Sequence, residues 1–295
     1  MIDLDLRSCE LCPRLCRVNR EEKPGACGCS TRLLAARAAL HFGEEPCISG
    51  TEGSGTVFFS GCNLHCIFCQ NHKISRERYG KALTAVRLAD IFRELEAKGA
   101  NNINLVTPTP WVTEIVKALE LYRPTVPVLY NTSGYERVEV LRELEGLVDV
   151  WLPDYKYADS ALAARFSGAA DYPAVARAAL QEMYRQSGNL TLNKEGKAVR
   201  GVMIRHLVLP LHLKNSFAVL DDIAALFGTE QYVSLMFQYT PFVKTRFPEL
   251  NRSLTGRERA RAEAYFLQCG FRNGYIQEAD SKGSCFLPDF NLEGI

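Results

Sequence analysis

The chain has 295 residues, 47% hydrophobic content and a formal net charge of +1. That length suits one large core of the size of a single α/β barrel, and the near-zero charge excludes a broad electrostatic pull toward nucleic acid or an anionic membrane. No stretch approaches the roughly twenty apolar residues that span a bilayer, the opening residues lack a secretory pattern, and eleven cysteines in such a chain point to a cytoplasmic protein that uses thiols for metals rather than disulfides.

Residues 1–55 form a Cys-rich segment with a helix-compatible run at 31–40. Cys9, Cys12, Cys16 and Cys27, with Cys29 close by, suit a four-thiolate site for zinc or for an auxiliary iron–sulfur cluster, and the spacing fits both. A small loop-rich segment has little core of its own, so a metal there would stabilise it.

Strands and helices alternate after residue 55. Residues 56–60 read as a first strand, and residues 84–98 as an amphipathic helix with Thr84 as its cap. Apolar runs suited to buried parallel strands follow at 103–106, 126–130, 148–152, 202–209 and 232–237. Asn193-Lys-Glu-Gly196 is a turn before the fifth strand, and Thr255-Gly-Arg-Glu258 is a capping box opening a helix to about Gln268. Six strand–helix units predict an α/β fold with right-handed crossovers, in which reactive groups gather at the carboxyl ends of the strands.

The chemistry is concentrated directly after the first strand, in Gly61-Cys-Asn-Leu-His-Cys-Ile-Phe-Cys-Gln70. Three thiolates, Cys62, Cys66 and Cys69, would hold a 4Fe-4S cluster by three of its four irons. A ferredoxin or a structural zinc site closes with four ligands, whereas a catalytic metal keeps a position free. The alternative from the residues alone is an incomplete zinc knuckle or a chance set of buried thiols.

This spacing, with Phe68 before the last cysteine, resembles the radical S-adenosylmethionine superfamily. The flanking run Gly53-Ser-Gly-Thr-Val-Phe-Phe-Ser-Gly-Cys62, with Asn102-Ile-Asn-Leu-Val-Thr-Pro-Thr109, Arg205-His-Leu-Val-Leu-Pro210 and Pro248-Glu-Leu-Asn-Arg-Ser-Leu-Thr255, is similar to the uncharacterised group related to pyruvate formate-lyase activating enzyme. The resemblance implies a partial (β/α)6 barrel at 56–250 behind a Cys-rich segment at 1–55, with a helix and strand at 251–295 completing the barrel edge. It also implies reductive cleavage of S-adenosylmethionine to a 5'-deoxyadenosyl radical that abstracts hydrogen from a substrate.

The strand-end residues then become a cofactor pocket beside Phe68. Thr107-Pro-Thr-Pro110 stands where related enzymes carry a Gly-Gly-Glu turn, so Thr107 and Thr109 offer hydroxyls in place of a missing acid, although a Pro-rich turn has the same composition. Asn131-Thr-Ser-Gly-Tyr135 resembles the Asp-Thr-Asn-Gly-Phe turn of the activating enzymes and would set Asn131 and Ser133 toward the cofactor; by composition it is an ordinary turn. Asp154 and Lys156 resemble that family's Asp-x-Lys pair, and strand alternation puts them on one face; a surface ion pair is the alternative. Arg205, costly inside a strand unless paired, would meet a cofactor carboxylate or an acid borne on an outer helix. Gln238 and Tyr239 are weaker candidates. Cys47, Cys269 and Cys285 read as buried thiols, and His41, His65, His72 and His212 as surface or supporting residues.

Three functions fit. The first is an activase-like oxidoreductase acting on a glycine of a partner glycyl-radical enzyme, which needs an open groove. The second is a radical enzyme on a small molecule or peptide, with its mouth closed by the N-terminal segment. The third is a non-catalytic iron–sulfur electron-transfer protein. Either enzyme requires a flavodoxin- or ferredoxin-like electron donor, and no basic patch calls for a nucleic acid.

Overall fold

The computed structural model describes residues 6–277 and 288–295. Ten strands occur among them: β1 Leu33–His41, β2 Ser54–Phe59, β3 Lys81–Leu83, β4 Ile103–Val106, β5 Val128–Thr132, β6 Val150–Pro153, β7 Thr191–Leu192, β8 Ala198–Leu207, β9 Tyr232–Met236 and β10 Asn273–Ile276. They form one sheet in the order β10-β9-β8-β6-β5-β4-β2-β1-β3, with β7 pairing β8 off this path. From β2 to β10 every pairing on the path is parallel, while β1 runs antiparallel to both β2 and β3. The order places β3 and β10 at opposite ends, so the barrel is unclosed.

The six parallel strands expected from the sequence are all present, shifted by a few residues at most ends. Strands β2, β4 and β6 are buried at every position because inner chain and outer helices cover both faces, and this is why they read as apolar runs rather than alternating ones. Thr84 caps the helix Ala85–Ala97 by accepting from the Arg87 N–H. Thr255 and Glu258 make the expected capping box on the helix Gly256–Gln268. The chain then returns to the sheet as β10 beside β9.

One expected element is different. The Ala-rich run at 31–40 suggests helix by propensity, yet it forms β1 and covers the free edge of β2. Small side chains at Ala35, Ala36, Ala38 and Ala39 are buried, and pairing on both sides outweighs intrinsic preference.

After β1 the chain turns under the sheet. The short helix Pro46–Ser49 packs Cys47 and Ile48 against Leu129, Leu152 and Met203. These residues lie two positions before Asn131, Asp154 and Arg205 on their strands, so the interior has an apolar layer and then a polar layer.

Candidate functional site

A cavity of about 550 Å³ opens at the carboxyl ends of the parallel strands, within the usual range for small-molecule sites. Cys62, Cys66, Phe68, Cys69, Thr107, Asn131, Ser133, Asp154, Lys156 and Arg205 all line it. They come from the loop after β2 and from the ends of β4, β5, β6 and β8, elements far apart in sequence.

The three-cysteine turn leaves β2 through Gly61, whose φ is +89°. A Cβ there would stand 2.1 Å from the Cys29 sulfur, so the residue must be glycine. Each thiol of the turn has a hydrogen-bond donor: the Leu64 N–H to Cys62 Sγ at 3.4 Å, Ser167 Oγ to Cys66 Sγ at 3.0 Å, and Ser75 Oγ to Cys69 Sγ at 3.4 Å. Burial is the main cause that pushes all three thiols above the ordinary cysteine range, with neighbouring thiols adding to it. Cys66 is buried and Cys62 and Cys69 are half-buried, and the donors aimed at all three sulfurs would stabilise them as thiolates on a bound cation.

Lys156 Nζ donates to Asp154 Oδ2 at 2.5 Å. Burial pulls its ammonium down, but the charge of Asp154 and then of Cys66 outweighs that and holds it above the ordinary lysine range. The Tyr172 hydroxyl lies 2.8 Å from the Ser133 carbonyl and accepts the Lys156 N–H at 2.9 Å, tying β5 to β6. Gly134 permits this, since a Cβ would meet the Asp154 carbonyl at 2.3 Å.

Arg205 is 5% exposed and is committed to internal acids: Nη2 to Glu44 Oε2 at 2.6 Å, Nε to Glu45 Oε1 at 2.9 Å, and Nη2 to Glu45 Oε2. Its guanidinium is therefore held by protein carboxylates instead of standing open for a cofactor carboxylate. Asn131 Nδ2 and Asn104 Nδ2 donate to Glu44 Oε1 at 3.4 and 3.2 Å.

Glu44 and Glu45 also line the cavity and were not expected from the sequence. The acid missing after β4 is thus supplied to the same cavity by the turn after β1. The available signal was a Glu-Glu pair beside Pro46 in a chain with a buried strand arginine needing partners.

Thr107 reaches the cavity from a left-handed backbone, φ +58°, a strained conformation for a β-branched residue. Thr109 does not; its hydroxyl donates to the buried Glu136 at 2.5 Å. Gln238 and Tyr239 also line the cavity, as do His41 and His65. Cys47 is buried as expected, whereas Cys269 is only half-buried at the end of its helix; Cys285 lies outside the described residues.

Cys9, Cys12, Cys16 and Cys27 meet elsewhere, around a cavity of about 10 Å³ that Asn63 and Thr109 also line. Cys29 Sγ instead donates to the Cys27 and Ser60 carbonyls, both at 3.7 Å. Among the described residues, no three His, Cys, Asp or Glu side chains already converge on a point as ligands of one metal ion.

The sequence model of the Radical SAM superfamily matches residues 56–179. An uncharacterised protein of Methanocaldococcus jannaschii is 32% identical over 262 residues, spanning 85% of this chain and 72% of that protein. Residues 56–179 are a Radical SAM superfamily domain, and the chain as a whole belongs to one family with the Methanocaldococcus jannaschii protein.

Among solved structures, SuiB of Streptococcus suis aligns with a TM-score of 0.50 at 13% identity, over 75% of this chain and 48% of that one. A radical SAM methyltransferase from Sphaerobacter thermophilus aligns with a TM-score of 0.50 at 15% identity, over 76% of this chain and 66% of that one. Both show the shared fold. The chain spans about half the length of the first and just under two thirds of the second.

The family implies a 4Fe-4S cluster and S-adenosylmethionine, and the cavity fits both. Three thiols with donors form one wall, and one thiolate on each of three irons spreads the sulfurs more widely than ligands of a single ion. Ser133 Oγ and Asn71 Oδ1 line the cavity with no hydrogen-bond partner although buried, as polar groups awaiting a ligand would be. Glu44, Glu45 and Asp154 against Arg205 and Lys156 leave one carboxylate in excess, which suits a ligand bearing sulfonium and ammonium charge.

Proposed function

We propose that this chain is a radical enzyme in which Cys62, Cys66 and Cys69 carry the cluster and the cavity behind them receives S-adenosylmethionine and a small substrate or peptide end. The observation that carries the reading is the convergence of ten sequence-selected residues from five separate elements on one cavity. When bound, the cluster and S-adenosylmethionine supply a 5'-deoxyadenosyl radical that abstracts hydrogen. The protein's part is placement. Ser167, Ser75 and the Leu64 N–H stabilise the thiolates; Thr107, Asn131 and Ser133 present polar groups to the cofactor; Asp154 and Lys156 orient it; Phe68 and Leu64 keep water from the cluster wall.

A substrate of modest size is favoured over a partner's glycine loop because His41, Glu44, Glu45 and Pro46 of the N-terminal segment wall the cavity from within. The activase-like reading requires a partner's glycine loop to fit the space that those residues leave. A flavodoxin- or ferredoxin-like protein is the electron donor in either reading.

The test is anaerobic reconstitution, chemical reduction, addition of S-adenosylmethionine and quantification of 5'-deoxyadenosine, for wild type and Cys66→Ala. Product that depends on Cys66 supports the reading. No product from a protein with a full cluster returns it to electron transfer.

A further inference from the structure

The N-terminal cysteines are not used by the chemistry above, yet the fold assembles them. Cys9, Cys12, Cys16 and Cys27 come from a segment whose described part has little regular structure before β1 beyond the 3-10 turn Leu6–Ser8, and they surround a cavity of about 10 Å³. The Cys16 and Cys27 sulfurs lie 3.4 and 3.6 Å from where a Gly25 Cβ would stand, so Gly25 makes room for both. A volume of this size holds about one water-sized body, far too little for a cubane of iron and sulfide.

Two further observations point to a missing occupant. Arg20 is 1% exposed, donates to the Ser30 and Pro110 carbonyls and lies over the Trp111 ring. It lines the same cavity, and no carboxylate pairs with it among the described residues. A buried cation without a counter-charge is costly. Asn63, also lining the cavity, leaves its buried Oδ1 without a partner.

We propose that Cys9, Cys12, Cys16 and Cys27 bind a single divalent ion, zinc by the chemistry of the donor set, in a closed tetrathiolate site that fixes the loop clamping the three-cysteine turn. A divalent ion with four thiolates is a dianion, which gives Arg20 its counter-charge. Binding displaces the thiol protons to solvent and draws the sulfurs inward to ligand distance.

The clamp is Arg14, between Cys12 and Cys16. It donates to the carbonyls of Asn63 (2.8 Å) and Leu64 (3.1 Å) within the cluster turn, and to those of Ser167 (3.0 Å) and Gly168 (2.5 Å) beside Cys66. An ion closing the Cys12-to-Cys16 loop therefore holds the neighbouring turn in register.

The experiment uses the full chain with Cys62, Cys66 and Cys69 all replaced by serine, loaded with Zn²⁺ or Co²⁺ and desalted, with metal and acid-labile sulfide counted per chain. One zinc per chain is expected, with tetrathiolate cobalt absorption in the Co²⁺ form, and its loss in a further Cys12→Ser, Cys16→Ser variant. The triple variant lacks the radical site, so the outcome is independent of the proposed reaction. Absence of zinc, or iron with labile sulfide in its place, overturns the proposal. Should the further variant fail to fold, alkylation of wild type decides: Zn²⁺ should slow labelling of Cys9, Cys12, Cys16 and Cys27 at least about tenfold, and unchanged labelling overturns the site.

Discussion

One set of cysteines lies within the turn after β2 and a second set packs beside that turn, and they differ in what surrounds them. Cys62, Cys66 and Cys69 face a cavity of about 550 Å³, with charged residues from the end of β6, from β8 and from the loop after β1. Cys9, Cys12, Cys16 and Cys27 face about 10 Å³ and one another. Three ligands beside open space define a place for reaction, while four ligands around no space define a staple. The sets are linked mechanically, because Arg14 reaches from the staple to the reactive turn.

The sharpest way to break this contrast is to exchange the effects. Cys66→Ala should lower 5'-deoxyadenosine formation by roughly 100-fold or more while lowering the thermal midpoint by less than an N-terminal cysteine substitution does. Cys12→Ser should do the reverse in kind, with a fall of several degrees in the midpoint by differential scanning fluorimetry as metal-coupled folding energy is lost. Similar midpoints for both variants would erase the distinction.

Arg205→Met should cost about 3–5 kcal/mol in urea unfolding, because Glu44 and Glu45 would remain buried without their cation. His206, the next residue on β8, points the other way and sharpens the contrast between inner and outer faces. It is fully buried between the Tyr155 carbonyl and Ser216, and burial lowers its pKa to about 4. As pH falls from about 6.5 the unfolded chain takes up this proton first. The stability His206 contributes is therefore complete above that pH and declines toward pH 4, by up to roughly 3 kcal/mol. Urea midpoints at pH 7.5 and 5 should diverge more for wild type than for His206→Gln.

Arg14→Leu should destabilise by about 1–2 kcal/mol through its lost carbonyl bonds, and lower the iron retained after gel filtration without altering zinc. The smallest effect belongs to Ser167→Ala. Removing the donor to Cys66 Sγ should lower the cluster's reduction potential by tens of millivolts, roughly, measurable by an anaerobic redox titration.

The strand-end half of the site was legible from sequence because a parallel sheet leaves two readable marks, an apolar run and a polar residue just past it. Asn131 and Asp154 sit at that mark, whereas Arg205 was legible as a charge inside the apolar run of β8. Glu44 and Glu45 were not legible, since they reach the cavity from a turn that folds beneath the sheet and no periodicity announces such a return. Strand β1 was misread for a related reason: Ala35 to Ala39 favour helix in isolation, and only the free edge of β2 makes them a strand. The spacing of the N-terminal cysteines fitted both an ion and a cluster; the small enclosed space, a tertiary property on which the single-ion proposal rests, could not be read from it.

The central claim is that the three-thiolate site leaves a metal position open to S-adenosylmethionine. Electron paramagnetic resonance of the reduced protein, recorded before and after adding S-adenosylmethionine, tests it most directly. The account predicts a cluster signal whose g values change on addition and which Cys66→Ala lacks. A signal identical with and without S-adenosylmethionine would contradict it.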